Sequence, residues 1–131
     1  MPHLTLEYSD NLPAPVDFGA LFTRLHEALV ETGSFRLAGL KSRAIPRSCF
    51  HVGAGSPESV FVHLTVAIFA GRAPAQQQEI GERLLVILKA AFEPAWIGRP
   101  CDFTIELREM RREGYFKTMN ARATSVTGTT P

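Results

Sequence analysis

The chain has 131 residues, 45% of them hydrophobic and 21% charged, the size and balance of one globular domain able to bury a core. Fourteen basic against 13 acidic residues leave a formal charge of +1, with no lysine-rich run or interleaved basic aromatics, so nucleic acid is not an implied partner. No apolar run approaches the ~20 residues that span a bilayer and none follows a basic N-terminal segment, so no membrane partner is expected and a cytoplasmic location is.

In chain order, Leu4, Leu6 and Tyr8 alternate with Thr5 and Glu7, the pattern of a strand with one buried face. Ser9, Asp10, Asn11, Pro13 and Pro15 end it. Asp17 is placed to cap a helix whose apolar positions Phe18, Leu21, Phe22, Leu25, Ala28 and Leu29 recur at helical spacing, and Gly33 stops that helix. A second strand runs from Leu40 to Ile45, closed by Pro46. The third, lined by Val60, Val62, Leu64, Val66 and Ile68, carries Phe61, Ala67 and Phe69 on its other face. After the Gly71-Arg72 turn, Pro74 suits a first helical position, and Ile80, Leu84, Ile87, Leu88, Ala91 and Phe92 give a second helix its apolar stripe. Pro94, Gly98 and Pro100 break the chain before a last strand, residues 103–107. The basic cluster around Arg108, Arg111 and Arg112 reads as a solvated strand end.

The order strand, helix, strand occurs twice, so the predicted fold is α+β: two consecutive β-α-β units forming one four-stranded mixed sheet with both helices on one face. Residues 1–120 are expected to form one domain, and the Thr, Ser and Gly-rich tail 121–131 to be disordered. Two helices leave the other sheet face uncovered, and Phe61 and Phe69 on it predict an oligomer packed through that surface.

Candidate chemistry begins at Pro2. Removal of Met1 turns this proline into a free secondary amine, and α-amino groups titrate near ~7.7–8.0, close to the range where a general base is most effective. Read alone, Pro2 also suits the start of an edge strand. Arg72 stands between a strand and a helix start, so its guanidinium and the first helical N–H groups are positioned to hold a carboxylate jointly, although a Gly-Arg turn is also an ordinary solvated feature. Lys41 and Arg43, two apart on a strand, share a face. Cys49 and Cys101 make no CxxC pair and read as reduced thiols, and Cys49 with His51 lacks a second ligand pair for a metal.

Met1-Pro2-His3, the Glu7 to Leu12 segment, the Phe61 to Thr65 strand with Gly71-Arg72 after it, and Glu106-Leu107 resemble, as an ordered set, the 5-carboxymethyl-2-hydroxymuconate Δ-isomerase family of the tautomerase superfamily. The likeness runs from about residue 2 to 110 and fades through Tyr115 to Asn120. It implies an isomerase in which the proline is the base, Arg72 binds substrate, and the position of a second family arginine falls on Lys41, with Arg43 beside it as a substrate-binding cation. It also implies a homotrimer with sites near subunit boundaries, a small carboxylate-bearing dienol from homoprotocatechuate degradation as substrate, and no metal or organic cofactor. Lysine in place of arginine keeps the charge but loses the planar two-pronged grip. Two other readings fit the same residues: a superfamily enzyme acting on another unsaturated acid, or a catalytically silent trimer that binds a small anion or serves in assembly.

Overall fold

Strand β1 (His3–Ser9) alternates as its sequence predicts, with Leu4 and Leu6 fully buried and Thr5 and Glu7 turned to the opposite face. In the computed structural model, which describes residues 2–96 and 98–120, it is followed by α1 (Phe18–Glu31), a short 3₁₀ turn (Leu37–Gly39), β2 (Lys41–Arg47), β3 (Val60–Phe69), α2 (Pro74–Trp96), β4 (Cys101–Met110) and a second 3₁₀ turn (Arg112–Gly114). Met1 and the tail expected over 121–131 lie outside the described residues. Asp17 caps α1 by accepting the Ala20 N–H at 3.0 Å, and Gly33, at φ 86°, follows its end. No helix among the described residues is long and apolar enough to cross a membrane.

The sheet order is β2-β1-β3-β4. β1 and β2 are parallel with His3 opposite Lys41, β3 and β4 are parallel with Thr65 opposite Glu106, and the two units join antiparallel through β1 and β3 with Thr5 opposite Thr65. Both helices cover the face that carries Leu4, Leu6, Val62, Leu64 and Val66, and the core closes with Leu21, Leu25, Leu29, Leu84, Leu88 and Phe92. Side chains of this size contribute roughly 1.5–3 kcal/mol each when taken fully out of water, so this layer fixes the register of the sheet.

Three sequence expectations are corrected. Pro46 lies inside β2, tolerated because β2 is an edge strand and its missing N–H leaves no neighbour unpaired on the outer side. Pro94 lies inside the last turn of α2, where the fully buried Phe92 and the nearly buried Ala95 hold the helix against the core past the proline. β4 extends beyond 103–107 to Met110, which carries the chain to the end of the sheet where β1 begins. The open face is also less bare than predicted: Phe61 packs edge-on against Phe50, and Phe69 is covered by Tyr115 and Arg112. Between them the face carries the Glu7–Arg47 and Glu106–Arg108 ion pairs.

Candidate active site

A cleft of about 350 Å³ forms where the start of β1, the loop after α1 and the end of β3 converge. Pro2 lines it from β1, residues 33–36 and Gly39 from the α1–β2 connection, Phe69 and Arg72 from the β3–α2 turn, and Arg112 from the 3₁₀ turn after β4. Pro2 is buried. Among the described residues, three arginines and no carboxylate line the cleft.

Arg72 is held rather than solvated. Gly71 at φ 123° turns the chain, after which Nη1 of Arg72 donates to the Phe69 carbonyl and Nη2 to the Ser34 carbonyl, each at 3.2 Å. The guanidinium carbon lies 4.1 Å from the centre of the Phe35 ring. The first turn of α2 reinforces the arrangement: Gln77 donates to the Arg72 carbonyl at 3.0 Å and Gln76 to the Ser34 hydroxyl. The Nε of Arg72 is buried without a partner among the described residues. Burial first, then the Arg112 charge, lower its pKa from the ordinary arginine value, the signature of two guanidiniums facing one space.

On the opposite wall Arg112 lies over the Phe69 ring at 4.4 Å, and Tyr115 meets the same ring edge-on at 5.1 Å. Tyr115 is in turn bonded to His3, with 2.8 Å between its hydroxyl and Nε2. Arg43 Nη2 donates to His3 Nδ1 at 2.9 Å. Because arginine only donates, Nδ1 must be the acceptor, which puts the imidazole proton on Nε2, donating to Tyr115. Burial, then the Arg43 and Lys41 charges, lower the His3 pKa and keep the ring neutral.

Of the residues singled out in the sequence, Pro2 and Arg72 meet in this cleft. Lys41 and Arg43 are exposed on the sheet face away from the helices, outside the cleft lining of the same chain. Lys41 is nevertheless joined to Pro2 through its backbone, its N–H donating to the Pro2 carbonyl at 3.3 Å. Arg112, read from sequence as part of a solvated strand end, belongs to the cleft, as do Phe35, Arg36 and Phe69. No local pattern marks these residues, because the cleft joins segments far apart in the chain. The two cysteines stand apart from it: Cys49 is exposed, and burial with the Asp102 charge pushes the Cys101 thiol up to about 11.

Residues 2–124 match the family model described as 5-carboxymethyl-2-hydroxymuconate isomerase. The chain is 32% identical over 123 residues to the Escherichia coli protein named 5-carboxymethyl-2-hydroxymuconate Delta-isomerase, a match covering 94% of this chain and 98% of that one. Among solved structures it resembles a 5-carboxymethyl-2-hydroxymuconate isomerase from Deinococcus radiodurans R1, with TM-score 0.84, 32% identity, and coverage of 96% of this chain and 95% of that one. A fused 4-OT symmetric trimer shares the fold alone, with TM-score 0.67 and 17% identity over 92% of each chain.

Proposed function

The chain belongs to the 5-carboxymethyl-2-hydroxymuconate isomerase family, and on that premise we propose that its cleft moves one proton on 5-carboxymethyl-2-hydroxymuconate or a dienol of the same type, with Pro2 as the base. The observation that supports this most directly is the lining itself, in which a buried Pro2 shares a space with Arg36, Arg72 and Arg112 and with no carboxylate among the described residues. A muconate brings carboxylates to such a surface, and cations held in advance of the reaction stabilise charge as it builds on the enol oxygen.

With Met1 removed, the Pro2 nitrogen takes the proton from the dienol oxygen as the carbonyl forms. The double bonds shift along the chain, and the same nitrogen returns the proton to carbon. The step gains no atom and oxidises nothing. Burial and the surrounding cations disfavour the protonated amine, which keeps the base available near neutral pH. Arg72 holds a substrate carboxylate through the guanidinium N–H groups not spent on the Phe69 and Ser34 carbonyls. Lys41 stabilises the enol oxygen and Arg43 assists binding, both reaching a cleft at a subunit boundary in a cytoplasmic homotrimer packed through the open sheet face.

The test is ketonisation of 5-carboxymethyl-2-hydroxymuconate by purified protein, followed as loss of dienol absorbance, with the intact mass recorded alongside. Wild type lacking Met1 is expected to be active, and Pro2→Ala to lose about 10²–10⁴-fold in kcat, the usual contribution of a positioned base. Equal rates for the two proteins, or a retained Met1, would reject Pro2 as the base and favour an anion-binding or assembly role.

A further inference from the structure

The two cationic walls of the cleft differ in what they have left to offer. Arg72 already spends one N–H of each terminal nitrogen on the Phe69 and Ser34 carbonyls, so only part of its five-donor edge is left for an incoming carboxylate. Arg112 makes no such commitment. Its guanidinium rests on the Phe69 ring, and among the described residues no carboxylate or carbonyl holds it. The acids nearest in sequence are engaged elsewhere: Glu113 faces Arg111 at 3.8 Å, and Glu109 accepts from Gln77 at 3.3 Å. Ring stacking fixes the plane of a guanidinium while leaving its N–H edges available, which suits a two-pronged grip on a carboxylate.

The surroundings keep Arg112 in place. Tyr115, three residues on, is locked edge-on against Phe69 and tied to His3, next to Pro2 in the chain. Arg112 and Arg72 stand close enough for the Arg112 charge to depress the Arg72 pKa, with no acid among the described residues lining the cleft between them, and a bound ligand with two negative charges would relieve the repulsion.

We infer that Arg112 is a second carboxylate-binding residue of the cleft, gripping one end of a dicarboxylate whose other end is held by Arg72, so that the site selects dicarboxylates over monocarboxylates. This rests on the reading of the cleft as the substrate site, and it does not depend on Pro2 being the base.

The measurement is binding of two matched six-carbon dienoic acids, muconate with a carboxylate at each end and sorbate with one, by calorimetry on full-length wild type, Arg112→Met and Arg112→Lys. Arg112→Met is expected to weaken muconate by about ten- to hundred-fold, the loss of one charge-assisted hydrogen-bonded contact, and to leave sorbate within about twofold. Arg112→Lys should recover part of the muconate affinity. Unchanged muconate binding in Arg112→Met, an equal loss for both acids, or a wild type that does not prefer muconate would each overturn the inference. Turnover by Pro2→Ala at the wild-type rate, with this ligand pattern intact, would sink the catalytic reading and leave Arg112 standing.

Discussion

His3 illustrates how a single side chain can couple the two ends of the chain. Its ring accepts from Arg43 and donates to Tyr115, so a second proton would place an N–H donor against a guanidinium that can only donate. Burial and the Arg43 and Lys41 charges accordingly hold its pKa below the ordinary histidine value, and burial does the same to His26, whose Nε2 lies 2.7 Å from the Ser42 hydroxyl. Both groups are depressed in the folded state. The unfolded chain therefore binds protons first, near pH ~6.5, and stability present above that pH is lost as pH falls through it. Urea unfolding midpoints are expected to drop between pH 7.5 and 5.5, with a shallower drop in His3→Gln, where the contribution of His3 is gone and that of His26 stays. A slope unchanged by that substitution would show that His3 is not excluded from protonation by its neighbours.

At the scale of the element, the turn between β3 and α2 shows why a residue type recognised in sequence gains its meaning from the backbone. Gly71 adopts φ 123°, which side-chain-bearing residues rarely enter, although nothing stands within 4 Å of where a Cβ would be placed. Gly71→Ala is thus expected to cost about 1–3 kcal/mol through backbone strain alone, read from chemical denaturation. Its affinity for muconate should fall too, since the turn aims Arg72 at the Ser34 carbonyl. Wild-type stability in that variant would show that the turn accommodates a side chain by rearranging. The same scale explains the two proline corrections. Proline marks a break only where its N–H is needed and nothing else holds the backbone. Pro46 on an edge strand fails the first condition, and Pro94 beside buried Phe92 and Ala95 fails the second.

For the whole molecule, the open sheet face decides assembly. Phe61 and Phe69 predict an apolar interface from sequence, but each is partly covered within the chain, and the centre of the face is occupied by Thr5, Thr65, His63 and Glu106. Packing in the proposed homotrimer would therefore be largely polar. Sedimentation is expected to give a trimer, and Thr65→Arg, which sets a long cation at the middle of β3, to yield folded monomers with unchanged helix content. A monomeric wild type, or a Thr65→Arg protein that stays trimeric, would show that copies do not meet through this face. The sequence by itself determined the two β-α-β units, the Asp17 cap, the buried stripe of each helix and the pairing of Pro2 with Arg72 as residues of interest, because period, capping and turn chemistry are local and repeat within a few residues. Only the tertiary structure decided that Arg112 faces the cleft, that Lys41 and Arg43 lie outside its lining, and that His3 meets Tyr115 across 112 positions of chain. Those contacts depend on sheet order and register, which the burial of Leu4, Leu6, Leu64 and Val66 under the helices fixes through the summed packing of the whole core rather than through any short stretch of sequence.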